Sequence, residues 1–238
     1  MNLIQTILLF SCVFGAGLFF FIFKKANPVY LKLSLAFTGA YLFAISMVHL
    51  IPGVYSSGVG SIGYFILLGF FIQLILEYFS EGIEHGHIHV HHHHKHSFPV
   101  AMMVGLCIHS FLEGMPLANH YEAGEHNNSL LAGILLHHLP VAFALVSMLT
   151  ASGLSKNWTL INLGLFALMA PAGAAFSSIL GQTEMLNIAN YYNQIMAVVI
   201  GIFLHISTTI LFESSSDHRF NLYKLSVIVL GALLAVFS

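Results

Sequence analysis

The chain has 238 residues, of which 58% are hydrophobic and only 7% are charged. A soluble domain carries charge on about a quarter of its residues, so this composition excludes an ordinary soluble protein and indicates that lipid surrounds much of the chain. The formal net charge of −2 and the absence of a basic patch also argue against a nucleic-acid partner.

Apolar runs of membrane-spanning length follow one another along the chain. A helix needs about 20 apolar residues to cross the hydrocarbon core of a bilayer. We expect such helices near residues 3–23, 30–51, 61–79, 98–118, 129–150, 159–180, 191–212 and 222–237. The sequence therefore predicts one all-α transmembrane domain of eight helices over residues 1–238, in a multi-pass protein of the cell membrane (the inner membrane in a bacterium).

The basic residues fall on alternate connections between these runs. All seven lie after the first, third, fifth or seventh run, and they are Lys24, Lys25, Lys32, Lys95, Lys156, Arg219 and Lys224. Cytoplasmic connections carry most of the lysine and arginine in membrane proteins. We therefore expect these four connections in the cytoplasm and both termini outside, with the first run retained as a helix rather than cleaved as a signal peptide.

The longest polar stretch, residues 80–97, reads SEGIEHGHIHVHHHHKHS. Histidine-rich tracts of this kind are typical of weak metal binding, and the topology predicts a flexible cytoplasmic loop. A solvated loop that merely tolerates histidine is the alternative interpretation. The candidate loop ligands are His85, His87, His89, His91, His92, His93, His94 and His96.

Ionisable residues near the middle of the fourth and fifth runs indicate a functional site. His109 and Glu113 are four residues apart, so a helix places them on one face, and His137 and His138 lie at similar depth in the fifth run. Intramembrane ionisable residues are expensive and usually line a cavity or contact a partner. If the two runs pack as antiparallel neighbours, the carboxylate and imidazoles form a ligand set suited to zinc and related metals. A hydrogen-bonded pair that ties two helices together is the alternative.

Two further histidines lie nearer the membrane surfaces. His49 ends the second run near its outer end, where it can receive a metal or act as a polar tip. His205 lies toward the cytoplasmic half of the seventh run, where it can line an exit. We treat both as weaker candidates for metal contact than the central residues.

Five sequence segments together resemble the ZIP (Zrt/Irt-like) family of divalent metal transporters. They are VHLIP, the histidine-rich loop, HSFLEG, HHLPVAF and FALMAPAGAAF, with GIFLHISTTILFE as a weaker match. The resemblance implies eight helices, a central metal site between the fourth and fifth helices, and alternating access in which the bundle that carries those helices moves against a scaffold. On this resemblance His109 and Glu113 match the histidine and acid of the fourth helix, and His137 and His138 match the pair that opens the motif of the fifth.

The chain departs from the family pattern at the positions of a second metal. Val141 and Ala170 stand where many members carry acids, and Ser110 replaces a common asparagine. His138 stands where an acid is frequent. The resemblance to branches that lack this second acid implies one central metal, with His138 as a fourth ligand or as an imidazolium that occupies the second position.

The sequence thus predicts a secondary transporter that carries zinc, or alternatively iron, manganese or cadmium, into the cytoplasm. The metal is the substrate and no cofactor is expected; the partners are the metal and the bilayer, and a homodimer is compatible with the chain. We expect the metal to pass His49, Glu122 and Glu125 on its way in, and His205 and the histidine loop on its way out. The alternatives are a membrane-embedded zinc hydrolase acting on a lipid-like substrate, with Glu113 as general base, and a histidine-gated channel.

Overall fold

The computed structural model describes residues 1–22, 28–80, 100–118, 127–181, 191–213 and 222–238. These residues form helices and connecting turns, without a strand among them. We number the helices α1 to α8, and α2 continues through a π-helical turn (Ser46–Leu50) into a final segment (Ile51–Ser56). The bounds are α1 Leu3–Ile22, α2 Pro28–Ile45, α3 Ile62–Ser80, α4 Val100–Gly114, α5 Asn127–Ala151, α6 Lys156–Gly181, α7 Tyr192–Glu213 and α8 Leu222–Val236.

The described part of the chain contains seven helices that are long and apolar enough to cross a membrane. The last helix, α8, is apolar but has 15 residues. The prediction of an all-α membrane protein is confirmed. The predicted number of eight crossings is not established, because α8 falls short of the span that a bilayer requires.

The π-helical turn in α2 has a local cause in the sequence. Pro52 lacks a backbone N–H, and its ring collides with the carbonyl of the residue four positions earlier in a regular helix. Widening the preceding turn relieves that collision and accounts for the π conformation of Ser46–Leu50. The turn places His49 on a bulge, a kind of distortion that is frequent at functional sites.

The helices pack as two groups of four. In the first, α4 lies against α6, and α1 lies against both α5 and α6; we call it the 1-4-5-6 group. In the second, α3 lies against α7, and α2 lies against both α8 and α7; we call it the 2-3-7-8 group. The two groups meet where α3 faces α4 and where α2 faces α5.

Glycines bring helix backbones into direct contact inside the 1-4-5-6 group. A Cβ atom on Gly114 of α4 would collide with the backbone of Ala170, and one on Gly173 of α6 would collide with the backbone of Phe111. Small residues at such crossings allow close van der Waals packing between membrane helices, where no hydrophobic effect drives association. The seam between α4 and α6 is therefore close and rigid.

The 2-3-7-8 group has an equivalent seam between α3 and α7. A Cβ atom on Gly69 would collide with the backbone of Val198, and one on Gly201 would collide with the backbone of Ile66. Between the groups the contact is different, because a Cβ on Gly133 of α5 would meet the side chain of Tyr41 at 3.1 Å rather than a backbone. Each group is thus locked internally by backbone contact, while side chains fill this part of the interface between them.

The glycine seam predicts a specific loss of stability. Gly69→Ala should lower the free energy of unfolding by about 1–3 kcal/mol, because the added methyl group forces α3 away from α7. The matched control is Gly15→Ala in α1, where a Cβ meets nothing within 4 Å. Thermal unfolding of both purified variants in detergent measures the difference, and equal midpoints for the two would contradict the account.

Candidate metal centre

The fourth helix supplies an imidazole and a carboxylate from one face. His109 and Glu113 are one turn apart on α4, and both are completely buried. His109 is near the middle of the helical stretch 100–117, and Glu113 is the penultimate residue of the α-helix. His109 Nε2 lies 3.4 Å from Glu113 Oε1. The helix thus presents a nitrogen and an oxygen donor side by side in the interior.

The fifth helix supplies two more imidazoles at the same place. His137 and His138 are buried, and their ring centroids lie 5.9 Å and 6.1 Å from that of His109. Direct packing of α4 along α5 is not needed to bring these side chains together, since α4 packs chiefly along α6 and α3. The site is therefore bridged by side chains that reach from α4 to α5, because the glycine seam keeps α4 against α6.

Three of these side chains are arranged to hold one metal ion. One donor atom from each of His109, Glu113 and His137 can be chosen so that all lie within 4.8 Å of one another. Ligands of a tetrahedral zinc ion lie roughly 3.4 Å apart, since each bond is about 2.0–2.2 Å long. Rotations of the side chains that move the donor atoms by about an ångström would bring the three atoms to the distances required around zinc. Two nitrogens and one oxygen are donors that zinc accepts.

His138 occupies the other side of the carboxylate. Its Nε2 lies 2.9 Å from Glu113 Oε2, whereas His109 faces Glu113 Oε1. This contact favours a rotation of the carboxyl group in which Oε2 faces His138 and Oε1 faces His109. The arrangement favours His138 as a residue that orients Glu113, in the manner of the outer-shell partners of metal ligands.

Gln73, a residue that the sequence pattern did not single out, completes the centre. It is fully buried on α3, and its Oε1 lies 3.1 Å from Nδ1 of His109. A carbonyl oxygen can only accept, so Nδ1 of His109 donates and the lone pair of Nε2 is left facing Glu113. The sequence feature that could have identified Gln73 is a single amide in the apolar run FFIQLIL. A polar side chain in such a run needs a hydrogen-bonding partner.

The structure separates the two weaker candidates from this centre. The Nε2 atom of His49 lies 3.0 Å from the carbonyl oxygen of Ala235, which links the π turn of α2 to α8. The Nε2 atom of His205 lies 3.3 Å from Oε2 of Glu77 on α3. Glu77 was likewise not anticipated, although it follows Gln73 by one helical turn.

Several predicted residues fall outside the described ranges. The acids proposed to line the access route, Glu122 and Glu125, are among them, and so are the loop histidines. Those histidines are His85, His87, His89, His91, His92, His93, His94 and His96.

The two positions at which many members of the family resembled above carry acids for a second metal are apolar and buried here. Val141 and Ala170 have 0% and 1% of their surface exposed, and Ser110 is buried as well. Across the described residues one group of three potential metal ligands is present, formed by His109, Glu113 and His137. The fold and this group define a polytopic membrane protein with a buried group of side chains that could hold a divalent metal.

Comparison with known proteins assigns the chain to a family. The profile of the family described as ZIP Zinc transporter matches residues 99–238, which is more than half of the chain and includes the whole of α4 to α8. The chain belongs to the ZIP zinc transporter family, and the resemblance inferred from its motifs is confirmed. Members of this family are transporters rather than enzymes.

Individual relatives agree with this assignment. The chain is 29% identical over 152 residues to the zinc transporter ZIP9 of Micropogonias undulatus, a match that covers 62% of this chain and 49% of that protein. It is 28% identical over 153 residues to the zinc transporter ZIP9 of Xenopus tropicalis, covering 62% and 50% of the two chains. The chain thus spans about half the length of the curated relatives it matches.

The contact between Gln73 and His109 predicts a loss of metal affinity. Gln73→Leu should weaken zinc binding by roughly 10–100-fold, because His109 then loses the acceptor that fixes its tautomer and ring orientation. Gln73→Glu retains an acceptor and should lose less. Zinc titration of the purified protein by calorimetry measures this, with Leu74→Ala as a control on the exposed side of the same helix. An affinity of Gln73→Leu equal to that of the control would contradict the role.

Proposed function

We propose that this protein carries a divalent transition metal, with zinc the favoured ion, across the membrane into the cytoplasm by alternating access. The observation that carries the proposal is the buried group of His109, Glu113 and His137, which two apolar helices of membrane-spanning length contribute. The family and the ZIP9 relatives support zinc as substrate, and the same nitrogen and oxygen donors also accept iron, manganese and cadmium.

The packing of the helices supports a carrier rather than an open pore. All three proposed ligands belong to α4 and α5, which lie in the 1-4-5-6 group. A metal bound there would travel with that group if it moved as a body against the 2-3-7-8 group. Rigid-body motion is favoured where each body is locked internally, as the glycine seams of both groups provide, and where side chains contribute to the interface.

A single metal at the centre follows from the donor set. Buried Val141 and Ala170 offer no oxygen to a second ion, and His138 is engaged with the carboxylate of Glu113. We propose that His138 orients Glu113 and, when protonated, supplies positive charge where other members hold a second metal. Nothing favours the hydrolase alternative, because the family consists of transporters.

The route on either side of the centre is also a proposal. With both termini outside, a metal would arrive past His49, Glu122 and Glu125, lose water at the centre, and leave past His205 toward the histidine loop. A donor set that replaces the hydration shell step by step lowers the cost of bringing a doubly charged ion into the membrane interior.

Zinc uptake into proteoliposomes tests the proposed function. Glu113→Gln should reduce saturable uptake by more than about tenfold, since the loss of outer-shell partners alone costs roughly 10–100-fold in metal sites. Ile108→Ala, which alters the exposed side of the same helix, should transport like the wild type. Saturable uptake by Glu113→Gln at the rate of the wild type would refute the assignment of the centre.

The two histidines of α5 should differ in their effect on zinc binding. His137→Gln removes a proposed ligand, whereas His138→Gln keeps an amide donor for Glu113 Oε2. We therefore expect the dissociation constant for zinc, measured by calorimetry, to rise more for His137→Gln than for His138→Gln. The reverse order would identify His138 as the ligand in place of His137.

A further inference from the structure

A second pair of metal-binding side chains lies outside the central site, on helices of the other group. Glu77 Oε2 of α3 is 3.3 Å from His205 Nε2 of α7; His205 is buried, and the side chain of Glu77 is 21% exposed. A carboxylate oxygen and an imidazole nitrogen are the same two donor types that form the central site.

This pair is aligned with the central site through α3. Gln73, which contacts His109, and Glu77 are four residues apart and share one face of the helix. Glu77 therefore lies about 6 Å further along α3 than Gln73, at the rise of 1.5 Å per residue. In the predicted topology that direction leads toward the cytoplasm. The exposed fraction also increases in this direction, from the fully buried Gln73 to the partly exposed Glu77.

We propose that Glu77 and His205 form a second, weaker metal site that receives the ion from the central site and releases it. This inference rests on the transport function proposed above. The central ligands move with α4 and α5, whereas Glu77 and His205 belong to the 2-3-7-8 group. Motion of one group against the other changes the distance between the two sites and leaves the geometry inside each site intact.

The chemistry of the pair suits release. A zinc ion held by these two protein ligands is bound less firmly than one held by three, so it exchanges faster. Phe70 packs edge-to-face against His205 with ring centroids 4.8 Å apart, which restricts the orientation of the imidazole. The donor pair is thereby held in place before an ion arrives.

A purely structural ion pair is the competing explanation. Such a pair would tie α3 to α7, but these helices are already in backbone contact at Gly69 and Gly201. Replacing a buried ion pair by apolar side chains of similar size is often neutral or stabilising. A structural pair therefore has little to contribute at this seam, whereas a carboxylate and an imidazole beside the transport site have a use as ligands.

The first experiment removes both ligands and keeps the apolar bulk. We expect Glu77→Leu combined with His205→Leu to lower the maximal rate of zinc uptake by proteoliposomes about tenfold, because exit from the central site becomes limiting. Zinc affinity of the central site, measured by calorimetry, should change by less than about twofold, as expected when binding is separated from a later step.

The outcomes distinguish this inference from the proposed function. If the wild type transports zinc and the double variant transports at the same maximal rate, the second site is refuted and the transport function stands. If the wild type shows no saturable uptake of zinc or of the other candidate metals, the proposed function fails and the second site fails with it.

The second experiment does not depend on the double variant folding. His205→Cys replaces an imidazole by a softer thiol, which favours cadmium over zinc. We expect the ratio of cadmium to zinc uptake to rise about tenfold, equivalent to 1.4 kcal/mol. Ser207→Cys places a thiol at another buried position of α7 and should leave the ratio unchanged. A ratio for His205→Cys equal to that of Ser207→Cys would overturn the proposal.

Discussion

The complete burial of the Glu113 carboxylate among apolar membrane helices constrains most of the structure around it. An ionised side chain at the centre of a span costs about 2.5–3.5 kcal/mol on insertion scales, so it persists only where partners or a bound ion offset that cost. Here His109 and His138 face its two oxygens from α4 and α5. The helices must therefore be placed so that these three side chains meet. A bound divalent cation would offset the negative charge of the carboxylate.

Small residues supply the close packing that holds the helices in the positions that the polar centre requires. Glycine seams hold α4 against α6 and α3 against α7, and they define two groups of helices with a different kind of contact between them. The metal centre belongs to one group, but its outer contact, Gln73, belongs to the other. The hydrogen bond between Gln73 and His109 thus joins the two groups at the candidate metal centre. Motion of one group against the other would change the position of the His109 ring.

Much of this arrangement was readable from the sequence because its strongest signals are local. Hydropathy alone predicted an all-α membrane protein, which is confirmed, and the spacing of His109 and Glu113 placed both on one helix face. The motifs HSFLEG and HHLPVAF identified the family, which the family profile confirms. In each case the informative residues lie within one helix, so periodicity and composition were sufficient.

What could not be predicted depends on contacts between distant segments. Gln73 is 36 residues from His109, and Glu77 lies still further from His205 along the chain, so neither pairing is encoded in local spacing. A lone amide or acid in an apolar run indicates that a partner exists without naming it. The packing of α4 along α6 was also not readable from the sequence, because the glycines that hold α4 against α6 act only in three dimensions. The π turn before Pro52 was likewise not predicted. A helix can avoid the collision between the Pro52 ring and the carbonyl four residues earlier in several ways, and the surrounding packing decides which one is adopted.

The most direct test of the account is the position of zinc in the protein itself. A structure determined from crystals grown with zinc, with anomalous scattering measured on both sides of the zinc absorption edge, locates the ion without reference to the side chains. The account predicts an anomalous peak between His109 Nε2, Glu113 and His137, with no second peak beside Val141 and Ala170. A peak at those apolar positions, or the absence of zinc from the space between α4 and α5, would contradict it.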